Sequence, residues 1–360
     1  MSAQTPEGVG PVGGDRDDRD GRRGGRGRGG RRRGGRREQP VVPDADFGSY
    51  YGRPVVKPSP WKIDIPLYFF FGGLASGSSL LAAGADLTDR PALRRVGRIG
   101  ALFGVSASLY TLVHDLGKPS RTLNMLRVIK PTSPMSVGTW SLAAFGPPAG
   151  VAAIAELAKL LPTDLGRPGR LLQAVARPSG LMAAAVAPAV GTYTAVLISD
   201  TATPAWHSAR HELPFVFAGS AASSAAGLAM ITTPTGEAGP ARRLAVVGSA
   251  VELGFGQRME RSMGLAAETL RRGSAGRWMA ASRILTAAGA AGALLMGRRS
   301  RVASAISGAA LVAGSVGTRF GIFEAGQASA ADPKYTVRPQ RERLDRQRDS
   351  TPDTSTNDQS

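Results

Sequence analysis

Eight stretches of this chain are long and apolar enough to cross a lipid bilayer: 65–85 (IPLYFFFGGLASGSSLLAAGA), 97–116, 136–160, 180–199, 212–232, 243–260, 279–297 and 303–323. A helix crosses the hydrocarbon layer in about 20 residues at about 1.5 Å each. Because hydrocarbon offers no hydrogen bonds, such runs must satisfy their backbone internally, as helices. The sixth run is the weakest, because Glu252, Gln257 and Arg258 interrupt it. Turn-forming residues separate the runs, as at Asp89–Arg90–Pro91, Lys118–Pro119, Arg167–Pro168–Gly169 and Pro234–Thr235–Gly236. The runs are rich in Gly, Ala and Ser, as in GGLASGSS (72–79) and GSAASSAAG (219–227). Small residues let membrane helices approach closely, which favours a bundle over single anchors.

The expectation is an all-α membrane protein, a bundle of eight transmembrane helices with disordered polar tails. Residues 1–57 form the N-terminal tail, 58–325 the membrane domain and 326–360 a polar C-terminal tail. A soluble all-α protein would instead need amphipathic faces, which these runs lack. The mean hydropathy of −0.09 conceals this, since the polar ends offset the apolar middle.

The stretch 21–37, GRRGGRGRGGRRRGGRR, holds nine Arg and eight Gly and cannot bury enough apolar surface to order itself. Such tracts bind RNA or anionic lipid through phosphate contacts, and the alternative is a solvated extension without a dedicated partner. No short apolar region with a small-residue cleavage site follows it, so it does not read as a signal peptide. Positive charge is commoner on the face that carries both termini, here called the tail face. Both termini are therefore expected in the cytoplasm, with the chain a multi-pass protein of the plasma membrane.

Cysteine is absent and there are three histidines. That excludes disulfides, cysteine-ligated iron–sulfur clusters, thiolate nucleophiles and covalently attached haem in this chain. Three histidines also argue against a multi-histidine metal centre or stacked b-type haems.

With eight antiparallel spans, the starts of odd helices and the ends of even ones share the tail face. It therefore collects Trp61 and Asp64, His114 and Asp115, the loop 118–140, Tyr193 and Asp200, Trp206, His207 and His211, and Arg319, Phe320 and Glu324. Ionisable groups at a bilayer are costly and usually face the bundle or a water-filled cavity. Each also has a plainer reading. Trp61, Tyr68 and Trp206 fit an interfacial aromatic belt, Asp64 fits a helix N-cap, and Asp115 fits an ion pair with Lys118 and Arg121. His114, with an ordinary pKa of about 6.5, suits proton relay or a simple hydrogen bond. Tyr193 lies about a turn and a half inside its helix, where a phenol needs a partner. Glu156 and Glu252 lie within apolar runs and are candidates for proton transfer or for pairing with a neighbouring Arg or Lys.

WKIDIPLYFFFGGLASGSSLL (61–81), HDLGKPSRTLNMLRVIKPTSPMSVGTW (114–140) and YTAVLISDTATPAW (193–206) resemble the NrfD/PsrC family, the polysulfide-reductase-type membrane subunits of molybdopterin oxidoreductase complexes. RFGIFEAGQASAADPKYTVRPQR (319–341) is similar to the ending of the high-GC Gram-positive branch. The resemblance runs over roughly residues 58–341 and leaves out the Arg/Gly-rich tail. It implies an eight-helix bundle without haem that binds menaquinone or another quinone near one membrane surface. It also implies electron exchange with an iron–sulfur subunit on that face, which serves a molybdopterin catalytic subunit. By the same resemblance Tyr193 contacts the quinone, with Asp64 and His114 beside it. Asp64 stands where relatives carry Asn or His. Asp115, Glu156 and Glu252 are the proton-transfer candidates, and Lys118 and Arg121 organise the docking loop. Better-known relatives present this face outside the cytoplasm, opposite to the orientation that the basic tail predicts. The rival readings are a secondary transporter and a purely structural anchor. The transporter is disfavoured because residues 65–200 and 212–325 show no convincing repeat.

Overall fold

A computed structural model of the chain describes residues 54–117, 120–162 and 165–350. The Arg/Gly tract and Lys118 lie outside the described residues, as does the side chain of Arg121. All regular structure among the described residues is helical. The long helices are α1 (Asp64–Leu87), α2 (Pro91–Asp115), α4 (Pro134–Ala158), α5 (Gly166–Ser199), α7 (Leu213–Thr232), α8 (Gly239–Ser262), α9 (Gly273–Leu295) and α10 (Arg301–Ala331). Shorter pieces are α3 (Arg121–Met125), α6 (Pro204–Ser208) and a 3₁₀ segment, Gly264–Leu270, while α11 (Lys334–Ser350) follows α10.

Local chemistry accounts for several boundaries. α2, α4, α6, α7 and α8 begin with Pro at their first or second position, where a missing N–H costs nothing. The Ser300 side chain caps α10 by accepting from the Ala303 N–H at 3.2 Å. The start of α2 is capped from far away: Glu237 Oε2 accepts from the Ala92 and Leu93 N–H groups at 2.8 and 3.2 Å. Gly264 and Gly273, at φ +55° and +61°, take the left-handed turns on either side of the 3₁₀ segment.

Among the described residues, seven helices are long and apolar enough to cross a membrane: α1, α2, α4, α5, α7, α9 and α10. α8 has the length, 24 residues, but not the apolarity, since it carries Arg242, Arg243, Glu252, Arg258, Glu260 and Arg261. The expected count of eight thus stands at seven by length and composition. Two boundaries also move. α5 starts at Gly166, not 180, and α10 runs on to Ala331. Residues 326–350 are almost wholly helical, in place of the disordered tail expected there. The reason is local: Lys334 Nζ bonds Glu268 at 2.8 Å and Tyr335 donates to it at 3.2 Å, which docks the start of α11 on the 3₁₀ segment.

The long helices pack as two rings of four in chain order. α1 packs on α2, α2 on α4, α4 on α5 and α5 back on α1; α7 packs on α8, α8 on α9, α9 on α10 and α10 back on α7. The rings join where α1 and α5 meet α7 and where α1 meets α10. Small residues allow this seam: a Cβ on Gly77 would lie 2.5 Å from the Ala221 carbonyl oxygen.

Candidate functional site

On the tail face of the first ring, the start of α1 meets the end of α2. His114 Nδ1 lies 3.1 Å from Asp64 Oδ1, and the His114 ring stacks on Tyr110 with centroids 6.1 Å apart. Asp115 feels the charges of Asp64, His114 and Lys62. Asp64 is the first residue of α1 and not its N-cap; Ile63 holds that position, without a side-chain cap. Its carboxylate is therefore turned to the histidine instead of the backbone. The two groups differ in access, with the His114 side chain 63% exposed and that of Asp64 17%.

One turn further into the ring, Tyr68 occupies the same face of α1 as Asp64. Its ring meets Tyr193 of α5 edge-on, with centroids 6.3 Å apart. Tyr193 is buried, and its hydroxyl oxygen has no hydrogen-bond partner among the described residues. Gly138 of α4 makes room for it, because a Cβ there would overlap the phenol ring. His114, Asp64, Tyr68 and Tyr193 thus lead from the tail face into the first ring.

The tryptophans beside this line are not alike. Trp206 is buried, and its indole N–H donates to the Ile322 carbonyl at 2.9 Å between Trp61 and Phe323. Gln327 holds the approach to α1 by donating to the carbonyls of Ser59 and Trp61. Trp206 is therefore part of the packing between α6 and α10, not a lipid-facing belt residue. The loop before α4 folds back on itself. Ser136 Oγ donates to the Val128 carbonyl and accepts from the Lys130 N–H, while the Trp140 indole N–H donates to Val128 as well.

Glu156 lies at the other end of the first ring. It is 1% exposed and bonds Arg94 at 2.9 Å, Arg98 at 3.0 Å and Lys159 at 3.4 Å. Asp86 shares the cluster through Arg94, Arg98 and Arg177 at 3.2, 3.5 and 3.5 Å. The structure places Glu156 far along the bundle from the tail-face group, with cations on its carboxylate.

Glu252 belongs to the second ring and has different neighbours. Its Oε1 accepts from Thr318 at 2.6 Å, Thr318 is 2.6 Å from Ser282, and Glu252 Oε2 has no partner among the described residues. Arg319 is buried beside it, 3.6 Å from the Phe217 ring centroid and donating to the Phe217 carbonyl at 3.0 Å. A cavity of about 460 Å³ runs from Glu252 and Thr318 towards Glu260, which pairs with Arg271 and Arg283.

Outside the spans, Lys334 holds the Glu268 carboxyl below the usual glutamate range by hydrogen bonding, and the same bond raises the Lys334 ammonium. Three groups with prominent places were not singled out as site residues from sequence. Tyr68 reads as a belt aromatic, though its spacing of four from Asp64 was a signal. Arg319 falls on the tail face without a role, though a lone cation in an apolar run is a signal of burial. Asp86, at the end of the first run, gave no signal.

The sequence matches the polysulphide reductase NrfD family over residues 55–236, from just before α1 to the turn before α8. No curated protein matches it. Asp64, Tyr68, His114, Asp115, Glu156 and Tyr193 all fall within the matched range. A bundle of membrane-length helices and a match to half of the chain agree, and this protein belongs to the NrfD family, the membrane subunits of polysulfide reductase-like complexes.

Proposed function

We propose that this chain is the quinone-reactive membrane subunit of a molybdopterin-type oxidoreductase, of the formate dehydrogenase or polysulfide reductase kind. The observation that carries the reading is the buried Tyr193 hydroxyl without a partner, one ring contact from Tyr68 and thus one helical turn from the Asp64–His114 pair. A buried hydroxyl left unbonded costs about 1–3 kcal/mol. A quinone carbonyl in reach of Tyr193 would recover that cost, so the residues present fit the group. Bound menaquinone, or another quinone, supplies two-electron, two-proton redox chemistry.

In this reading the chain positions and deprotonates. Tyr193 donates to one quinone oxygen and orients the ring. Asp64 would take each of the two protons released at oxidation of a quinol in turn and pass it to His114, which is exposed enough to return it to water. Asp115 provides the next acceptor. The two electrons would leave to an iron–sulfur subunit docked on the tail face, with Lys118 and Arg121 as the residues assigned to its docking. That subunit serves the molybdopterin subunit. Glu252 and its hydroxyl neighbours form a second proton-accepting group, whereas the cations on Glu156 make it an ion-pair anchor. α8 is the eighth crossing, since it packs between α7 and α9 and turns its carboxylate inward. Both termini then share one side, the cytoplasmic side of the plasma membrane.

The test is purification of the tagged protein from native membranes in mild detergent, followed by quinol turnover. Stoichiometric iron–sulfur and molybdopterin subunits should co-purify. Tyr193→Phe should lower quinone-dependent turnover about a hundredfold, within the range for a lost proton donor, with the complex intact. Unchanged turnover would leave a structural anchor, and a metal-free protein without partners would overturn the assignment.

A further inference from the structure

The face opposite the tails carries a groove of about 580 Å³ that the tail-face chemistry does not use. Four arginines line it: Arg90 from the α1–α2 turn, Arg242 and Arg243 from the start of α8, and Arg298 from the turn after α9. Its other wall is apolar, formed chiefly by Val246, Val247 and Leu294. Val247 and Leu294 are 60% and 66% exposed on the outer sides of α8 and α9, where acyl chains would run.

The charge is uncompensated. Among the described residues no carboxylate lines the groove. The nearby acids are engaged or turned away. Glu237 is committed to the α2 N–H groups and Asp86 to Arg94, Arg98 and Arg177, while Asp89 is exposed outside the lining. Arg242 is fixed as a frame by donating to the carbonyls of Thr235 at 2.9 Å and Gly297 at 3.4 Å. Arg90 Nε is enclosed without a partner among the described residues. Four guanidiniums collected around one groove repel each other unless an anion lies between them.

We propose that this groove binds one anionic phospholipid. Its phosphate sits among Arg90, Arg243 and Arg298, and its acyl chains lie along Val247 and Leu294. A free phosphate would satisfy the arginines but leave the apolar wall bare. A zwitterionic lipid would bring its own cation to a site already rich in positive charge. Since Arg90 belongs to the first ring and Arg242, Arg243 and Arg298 to the second, the bound lipid would clasp the rings together at the end remote from the tail-face site.

The experiment uses the full chain, delipidated in detergent and titrated with dioleoylphosphatidylglycerol, dioleoylphosphatidylcholine or inorganic phosphate. Bound lipid is read by native mass spectrometry and stabilisation by thermal unfolding. Phosphatidylglycerol should bind and raise the melting temperature. Arg243→Gln with Arg298→Gln should weaken that binding about thirtyfold, from the contribution that a basic residue makes at an anionic membrane surface. Lys at both positions should restore most of it. Arg341→Gln with Arg343→Gln, on the distant helix α11, should change nothing, and every variant keeps residues 21–37, so binding by that tract cancels. If the Gln pair does not fold, Val247→Gln must weaken lipid binding by itself. Equal binding of phosphatidylcholine, equal protection by inorganic phosphate, or full binding by the Gln pair and by Val247→Gln would each overturn the proposal.

Discussion

The two four-helix rings bury the same kinds of residue and treat them differently. In the first, Glu156 and Asp86 sit among guanidinium groups at 2.9–3.5 Å, so each carboxylate is engaged in direct ion pairs. In the second, Glu252 receives a hydroxyl and keeps one oxygen unpaired, while Arg319 spends itself on an aromatic ring and a carbonyl. Buried ion pairs are locked, because removing one partner strands the other without solvent. Glu252 has no direct ion pair to lose: its hydrogen bond comes from a hydroxyl, and the buried Arg319 charge acts on it only at longer range. The family match covers the first ring and α7 and stops before α8. The ring it covers fully also carries the Asp64, His114 and Tyr193 group.

The contrast breaks most decisively by exchanging each glutamate for its neutral isostere. Glu156→Gln should destabilise the protein by about 3 kcal/mol, because the buried Arg98 is left with only its 3.5 Å contact to Asp86. Glu252→Gln should cost less, about 1–2 kcal/mol, since the amide oxygen still accepts from Thr318 and Arg319 loses only a longer-range attraction. Thermal unfolding in detergent measures both, and equal losses would mean that the rings do not differ in this way. Next in size is the seam. Gly77→Val places a branched side chain against the Ala221 backbone and should cost about 1–3 kcal/mol. An unaltered melting temperature would show that the rings separate freely.

The smallest effect concerns α11. The Glu268 carboxyl is held below its ordinary value, so its contact with Lys334 contributes above the ordinary glutamate range and is lost as pH falls through the lowered value. Lys334 is raised, so its share is complete below the ordinary lysine value and is lost as pH climbs through the raised one. Limited proteolysis across pH should find α11 protected near neutrality and released at both extremes. Glu268→Gln should remove the acid limb.

Much of the fold was legible because hydrocarbon leaves the backbone few options. The runs at 65–85, 97–116 and 136–160 became α1, α2 and α4 with shifts of a few residues. The weak sixth run became the helix that fails on apolarity. The meeting of Asp64 and His114 was legible only to the extent of a shared face. Their 3.1 Å contact depends on how α1 and α2 rotate about their axes. α11 was not legible, since a charged segment such as 334–350 reads as solvated until its docking point at Glu268 is known.

The sequence by itself therefore determined that the chain is a bundle of membrane-length helices and which family it resembles. These follow from run length, alternation and local motif, all of them properties of neighbouring residues. The tertiary structure alone decided that Glu156 is clamped by Arg98, 58 positions away, that Glu252 is left among hydroxyls, and that the Tyr193 phenol is buried beside Tyr68. Ion pairs and hydrogen bonds act over 3 to 4 Å. Which groups come that close is set by helix rotation and packing, and these depend on every side chain in the bundle at once.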